Sequence, residues 1–231
     1  YNFRVRALNE YGSSLGYATV RVRTLSVKED TKLKDKEDKL DREEEKIIRE
    51  GKEEFKEDSV RILLGENTLR SGLVSLTQTK YNKINKFTLS LPIEFVRTSR
   101  QLTIIEETLI LELNLRDLYT QDVSRNDKGN KDAYVNIHIE KITEHHIPRG
   151  KLMASKAYEI YFSYQFGKET IEINRLLNPA TATLIQDTTT YPHDKNTRLY
   201  IFNRTKGQYE VHRSNSAQIS TSTRLILLAD R

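Results

Sequence analysis

The sequence predicts a mainly β protein in three parts: a β-hairpin over residues 1–24, a long charged helix over 25–58, and an antiparallel, β-sandwich-like domain over 59–231. Apolar and polar residues alternate strictly at the start of the first part, as in a half-buried strand. Residues 29–55 are almost wholly Lys, Glu, Asp and Arg without Pro, and their apolar members recur at helical spacing. The third part consists of short period-two runs, most of them separated by Gly, Asn, Asp or Pro.

The first part indicates two strands joined by a turn. A Gly- and Ser-rich turn over residues 9–16 leads into a second alternating run with Ala18, Val20 and Val22 on the inner side. Two strands alone are marginally stable, because they cover little apolar surface. We therefore expect the apolar face of the first strand to be completed by another chain or by residues upstream, and its candidate interaction residues are Tyr1, Phe3 and Val5.

This hairpin resembles the last two strands of a fibronectin type III domain. Such domains end with the pattern Tyr-x-Phe-x-Val-x-Ala-x-Asn, a Gly/Ser loop and a strand that closes on Thr. The resemblance implies that the first residue is the corner tyrosine, whose hydroxyl bonds to backbone in such sandwiches. The matching residues are Tyr1, Phe3, Val5, Ala7, Asn9, Gly12, Ser14 and Thr24.

The charged segment predicts a helix with one narrow apolar stripe. A helix over residues 29–55 would be about 40 Å long at about 1.5 Å per residue, a length that suits a spacer. A coiled coil needs two apolar positions in each repeat, and here the second position is acidic, at Glu37 and Glu44. We favour a single helix with ion pairs four residues apart over a dimeric zipper. The stripe, also a candidate interaction surface, consists of Leu33, Leu40 and Ile47.

Charge and composition exclude several classes of function. The net charge is +5. Residues 1–24 carry 4 basic and 1 acidic side chains, residues 25–58 carry 10 and 14, and residues 59–231 carry 24 and 18. Because the two signs are interleaved, we expect a mixed solvated surface and no nucleic-acid partner. Without Cys the chain forms no disulfide or thiolate metal site.

No stretch of the sequence has the roughly 20 apolar residues that span a bilayer, so no membrane span is predicted. We expect any signal or anchor to lie outside this sequence.

The histidines give no recognisable metal-ligand pattern. His138 and Glu140 share one face of a predicted strand, and Glu144, His145 and His146 follow. Zinc requires three or four converging ligands, whereas adjacent histidines on a strand point to opposite faces. We interpret these residues as a polar cluster at the end of a loop, with metal binding as the weaker alternative.

The segment over residues 121–132 is acidic enough to suggest calcium. Its spacing departs from the EF-hand pattern, and Arg125, Lys128 and Lys131 would place like charges beside the cation. A solvated hairpin loop is therefore predicted. The oxygen-bearing residues concerned are Asp122, Asn126, Asp127, Asn130 and Asp132.

Markers of catalysis are missing from the sequence. The glycines form neither a phosphate loop nor a dinucleotide fingerprint, and no G-x-S-x-G elbow is present. A pair of carboxylates brought together by the fold stays open as a route to hydrolysis, although nothing singles out a pair. Alternation places Tyr158, Phe162, Tyr164 and Phe166 on one face and Tyr161 on the other, which favours a core role over ligand stacking. No catalytic residue, cofactor or metal is predicted.

Residues 87–118 resemble a module of large surface proteins of Gram-positive bacteria, in which a strand, Leu-Pro, a crossing segment and two further strands follow one another. Two later segments, KAYEIYFSYQFGKETIEIN and TRLYIFNRTKGQYEVHRSNSAQISTSTRLILLA, resemble its strand–turn–strand and its closing meander. In such proteins the module often follows fibronectin type III repeats and precedes S-layer homology anchors. The resemblance implies an extracellular, cell-surface location and a spacer, scaffold or assembly role.

We therefore expect a non-enzymatic structural or assembly module that contacts like subunits, neighbouring domains of the same surface protein, or the cell wall. One alternative is a module that binds glycan or host protein, which a concave, Tyr-lined sheet face would favour. Another is an accessory domain of a secreted hydrolase, which a converging carboxylate pair in a cleft would favour.

Overall fold

The fold is taken from a computed structural model, which describes residues 2–5, 8–9, 12–13, 18–21, 39, 42–43, 45–47, 49–127, 129, 132–143, 147–189 and 197–230. For residues before 39 it describes only the backbone. The chain divides into two compact units, residues 1–46 and residues 47–231.

The first unit contains the predicted hairpin. Strands β1 (Asn2–Val5) and β4 (Ala18–Arg21) pair antiparallel, with Phe3 opposite Val20 and Val5 opposite Ala18. Between them, β2 (Leu8–Asn9) pairs with β3 (Gly12–Ser13). The predicted antiparallel pairing is therefore confirmed at the level of the backbone.

The long charged helix stays a prediction over residues 25–38, which lie outside the described residues, and it differs from the structure at its end. Residues 39, 42, 43, 45–47, 49 and 50 are helical, but Gly51–Lys56 form a strand, so the prediction was wrong for residues 51–55. Gly51 has φ +83°, and a Cβ there would lie 2.2 Å from the carbonyl oxygen of Leu63. This position therefore requires glycine, which ends the helical path and lets the chain pair with the following strand.

The second unit consists of strands with short helices between them. The helices are α1 (Glu66–Ser71), α2 (Ile93–Val96) and α3 (Gln121–Asn126), and Thr79–Tyr81 and Leu115–Leu118 form 3-10 turns. The strands are β5 (Gly51–Lys56), β6 (Ser59–Leu64), β7 (Leu73–Ser75), β8 (Lys86–Pro92), β9 (Gln101–Glu106), β10 (Leu109–Asn114), β11 (Ala133–Ile142), β12 (Lys151–Met153), β13 (Ala157–Phe166), β14 (Glu169–Glu172), β15 (Ala180–Leu184), β16 (Arg198–Asn203), β17 (Gln208–Val211), β18 (Ser216–Ile219) and β19 (Thr223–Asp230).

These strands form two sheets. The large sheet has the order β17-β16-β19-β13-β11-β8-β6-β5, with β12 added beside β19 and β14 beside β13. The small sheet has the order β18-β15-β10-β9-β7. The prediction of a mainly β chain is confirmed.

The prediction of a wholly antiparallel domain was wrong, because β6 pairs parallel with β8 and β7 pairs parallel with β9. Parallel neighbours need a crossover connection. Here the chain passes from β6 through α1 to β7 in the other sheet before it returns as β8. The helices of this part were not predicted, since helices of four to six residues are too short to leave a clear 3.6-residue pattern.

One apolar core lies between the two sheets. Alternation along β11 directs Val135, Ile137 and Ile139 into this core, while Asn136 and His138 lie on the opposite, outer face. The small sheet contributes the core-facing side chains of β9 and β10 to this core, namely Leu102, Ile104, Leu109, Leu111 and Leu113. The outer face of the large sheet is therefore where polar side chains can be displayed on a rigid support.

Candidate functional site

Polar side chains on the outer face of the large sheet form two neighbouring rows. Asn136 lies directly across from Ser90 on β8 and from Ser163 on β13. His138 lies across from Thr88 and Tyr161 in the same way. The register of three adjacent strands thus brings together side chains that are far apart in sequence.

These side chains form a continuous hydrogen-bonded chain that begins at Arg61 on β6. Arg61 Nε donates to Ser90 Oγ (2.9 Å), and Ser90 Oγ donates to Asn136 Oδ1 (2.7 Å). Asn136 Nδ2 donates to Ser163 Oγ (3.4 Å), which lies 2.8 Å from His138 Nε2. The last contact joins His138 Nδ1 and Thr88 Oγ1 at 3.2 Å. We call the six residues of this chain the polar network: Arg61, Thr88, Ser90, Asn136, His138 and Ser163.

One direction of donation is consistent with every contact within the polar network. Arginine can only donate, so Ser90 accepts from Arg61 and its own hydroxyl donates onward to Asn136. Ser163 accepts from the Asn136 amide and can then donate its hydroxyl to His138 Nε2. This assigns the neutral tautomer with hydrogen on Nδ1, which donates to Thr88.

The surroundings of His138 keep the imidazole neutral. Burial, and then the positive charge of Arg61, lower the pKa of His138 to about 4. The ring of Tyr161 stacks on the imidazole with centroids 4.4 Å apart and an interplanar angle of 11°. At neutral pH His138 is therefore a fixed hydrogen-bonding group.

The Ser163–His138 contact has the distance of a nucleophile–base pair but lacks the other parts of an acyl-transfer site. Ser163 is only 4% exposed, so a substrate has little access to its hydroxyl. The residue that orients the imidazole is Thr88, which has no carboxylate to stabilise an imidazolium. The arrangement fits a rigid polar support better than a nucleophilic centre.

A pocket opens beside the Arg61 end of the polar network. Arg61 Nη2 donates to Gln165 Oε1 (3.0 Å), and the guanidinium carbon lies 5.5 Å from the ring centroid of Tyr134. Lys52 and Glu54 on β5 form an exposed ion pair of 2.9 Å at the rim. The pocket has a volume of about 280 Å³; we call it the Tyr134 pocket, and its lining residues are Ile47, Lys52, Glu54, Arg61, Leu63 and Tyr134.

A second polar system lies between the sheets. Glu106 on β9 is fully buried, and Lys141 Nζ on β11 lies 3.0 Å from Glu106 Oε1. Neither Glu106 oxygen has a partner in hydrogen-bond geometry among the described residues. Burial raises the pKa of Glu106 above its ordinary value, although the Tyr158 hydroxyl and the Lys141 charge act in the opposite direction.

The buried glutamate is not half of a hydrolytic pair. Its neighbour Glu107 lies at the tip of the β9–β10 hairpin and binds Lys141 (3.3 Å) and Lys156 (3.2 Å). The fully buried Glu106 therefore does not face an open cleft, as a catalytic carboxylate pair would.

Three of the five large apolar side chains that are exposed among the described residues lie on strands at the ends of the sheets; the other two, Leu177 and Ile185, lie outside the strands. Phe55 on β5 is 50% exposed, Leu73 on β7 is 48% exposed and Val211 on β17 is 53% exposed. β5 and β17 end the large sheet and β7 ends the small sheet. A groove of about 510 Å³ is lined by residues of β5, β6 and β7. The two end strands β5 and β7 therefore border one open surface.

The candidate residues named from the sequence fall into two groups. Ile47 is helical, half-buried and part of the Tyr134 pocket, while Phe3 and Val5 lie in β1, where only the backbone is described. Tyr1, Leu33 and Leu40 lie outside the described residues, so their roles stay predictions.

The predicted strand position of His138 is confirmed, because it lies in the middle of β11; its assignment to a polar cluster at a loop end was wrong. His145 and His146 lie outside the described residues. No group of three or more His, Asp or Glu side chains converges as metal ligands would in the part of the chain that the structure describes.

The segment predicted as a solvated hairpin loop begins instead with α3, which Thr120 caps by accepting from the amide of Val123. Asp127 ion-pairs with Arg97 and accepts from the Tyr119 hydroxyl (2.9 Å) and from the amide of Gly129 (3.1 Å). Although burial opposes it, these hydrogen bonds hold the pKa of Asp127 below its ordinary value. This carboxylate therefore orders the segment that follows the helix.

Comparison with family models, with curated proteins and with solved structures found no match to this chain. Across the described residues, no helix combines the length and the apolar composition needed to cross a bilayer.

Proposed function

We propose that the chain is a non-enzymatic structural or assembly module that acts by protein–protein contacts with further copies of itself. The supporting observation is the placement of Phe55, Leu73 and Val211 on the end strands of the two sheets. An end strand offers unpaired backbone groups, and soluble proteins usually protect it with charge or Pro. Apolar side chains at these positions instead favour the addition of a partner strand.

The end strands differ in how strongly they favour a partner. β5 has the sequence GKEEFK, so charged side chains surround Phe55 and oppose indiscriminate addition. β7 has the sequence LVS and carries no charge. We therefore expect specific contacts in which Leu73 contributes more than Phe55.

The finer parts of the proposal rest on the sequence. They are a fibronectin type III-like hairpin, a charged helical spacer, and an extracellular location on a Gram-positive surface protein of the kind that carries S-layer homology anchors. Neighbouring domains of the same protein and the cell wall are further proposed contacts. The antiparallel pairing of β1 and β4 is compatible with such a hairpin.

The assembly role is tested by light scattering after size exclusion, over a concentration series. We expect the wild-type chain to self-associate and the substitutions Leu73→Lys and Val211→Lys to weaken this association, since a charge disfavours pairing at an open strand. Ile185→Lys is the matched control, because Ile185 is 48% exposed and lies outside the strands. A monomer at every concentration, or an equal effect of the control, contradicts the proposal.

A second function, glycan binding, is favoured by the Tyr134 pocket. It combines one aromatic ring with the polar side chains of Arg61, Lys52 and Glu54 on a rigid sheet face. Binding sites for small ligands combine an apolar surface with a few well-placed polar groups.

A further inference from the structure

We infer that the Tyr134 pocket binds a sugar that carries a carboxylate, and that Arg61 holds this carboxylate. The inference rests on the glycan-binding function and is independent of self-association.

The guanidinium of Arg61 is only partly used by the protein. Nε donates to Ser90 and one Nη2 hydrogen donates to Gln165. Of the five N–H groups of arginine, two on Nη1 and one on Nη2 have no hydrogen-bond acceptor among the described residues. Neighbouring N–H groups on Nη1 and Nη2 match the two oxygens of a carboxylate.

The polar network holds Arg61 in place before any ligand arrives. Ser90 is fully buried and is itself fixed by Asn136, and the Tyr134 ring lies against the guanidinium. An arginine whose side chain is already ordered loses little conformational entropy on binding. This is the arrangement expected of a recognition group with a supporting shell.

The rest of the pocket favours a sugar ring over the carboxylate of a peptide side chain. Tyr134, Leu63 and Ile47 provide an apolar wall, and the Lys52–Glu54 pair provides donors and acceptors at the rim. A pyranose has an apolar face and a rim of hydroxyl groups, whereas Asp and Glu side chains have no ring to lie on Tyr134. The volume of about 280 Å³ is near the lower limit of about 300 Å³ for ligand pockets, which suits a small ligand.

The charge of the pocket agrees with an acidic ligand. Glu54 pairs with Lys52 at 2.9 Å and lies across from Arg61, which also attracts it. With two cations and one carboxylate, the lining of the pocket keeps a net positive charge that favours an anion. A neutral sugar would offer the unused N–H groups of Arg61 no charged acceptor.

The test is calorimetric titration of the whole chain with trigalacturonate, with maltotriose as the neutral sugar and with a Glu-rich peptide as the non-sugar carboxylate. We expect binding of trigalacturonate and at least about tenfold weaker binding of the other two, since a hydrogen-bonded charge contributes roughly one factor of ten or more. Equal binding of maltotriose overturns the role of the carboxylate. Equal binding of the peptide overturns the choice of a sugar.

Variants separate the roles of the two main residues. Arg61→Gln should weaken trigalacturonate binding about tenfold or more, and Tyr134→Leu should weaken it while leaving the polar network intact. Arg70→Gln is the matched control, because Arg70 is an exposed arginine of α1 outside the pocket. An equal loss in the control overturns the inference in favour of general charge attraction, and so does unchanged binding in Tyr134→Leu.

Light scattering on the same samples distinguishes the two proposals. Binding by a monomer retains the inference and rejects the assembly role. Self-association without binding does the reverse.

Discussion

On the outer face of the large sheet, Asn136 and Ser163 are nearly as buried as Glu106 is between the two sheets. The outer residues belong to a chain of hydrogen bonds in which each group has a partner. Glu106 has a charge partner in Lys141, but no hydrogen bond among the described residues. Similar burial therefore has different electrostatic consequences. At Asn136 and Ser163, hydrogen bonds offset the cost of losing water, whereas at Glu106 that cost is offset only by one ion pair with Lys141.

Removal of the Lys141 charge should produce the largest effect. Lys141→Met leaves Glu106 buried without its counter-charge, so we expect the free energy of unfolding at neutral pH to fall by about 3–5 kcal/mol. The double variant Glu106→Leu with Lys141→Met should recover most of this loss. Urea unfolding measures all three proteins.

Lys156→Met is the control for that experiment. Lys156 binds Glu107 at 3.2 Å, but its side chain is 40% exposed, so the loss should be about 1 kcal/mol or less. A similar loss in both variants would show that the buried pair has no special role.

The two systems should respond to acid with opposite sign. His138 has a pKa of about 4 in the folded chain and about 6.5 when exposed, so between these values the unfolded chain binds a proton that the folded chain does not. Stability should therefore fall by up to about 3 kcal/mol as the pH falls from about 6.5 to 4, at about 1.4 kcal/mol per pH unit. For Glu106 the folded-state pKa is raised, so acid favours the folded chain.

Unfolding of His138→Gln and Glu106→Gln at a series of pH values checks this difference. The first variant should lose less stability in acid than the wild type, and the second should lose more. If the free energy of unfolding depends on pH identically in His138→Gln and the wild type, the interpretation of His138 as a buried neutral group is wrong.

Loss of the central amide of the polar network should have a smaller effect. Asn136→Ala leaves the Ser90 hydroxyl without its acceptor and Ser163 without one donor, so we expect a loss of about 1–3 kcal/mol. Asn178→Ala is the matched control, because Asn178 is exposed and bonds to Asp117; its loss should be about 0.5 kcal/mol or less. Thermal unfolding of both variants measures the difference, and equal losses would contradict a satisfied buried network.

Alternation along the strands predicted part of this arrangement. It placed Tyr158, Phe162 and Tyr164 in the core, where they are buried. The same rule could have identified Glu106 and Lys141, since each continues the core-facing side of its strand. A charged residue at a core-facing position of a strand is the sequence signal that marks this buried pair.

The polar network was beyond such rules. Arg61 and Gln165 are 104 residues apart, and they meet only because β6, β8, β11 and β13 are neighbours in a particular register. That register includes the parallel pair β6 and β8, which local pattern does not specify. The turn at Gly51 was missed for a related reason: charged residues on both faces of GKEEFK give neither helix nor strand a distinctive period.

The two parallel pairs also constrain how this unit can fold. Along the chain β7 lies between β6 and β8, while β8 lies between β7 and β9, so the segment alternates between layers before either pair is complete. Neither sheet can complete its parallel pair before part of the other sheet has been placed. Pairing between strands that are distant in sequence slows folding. The two sheets are separate layers in space, but they are not independent folding units.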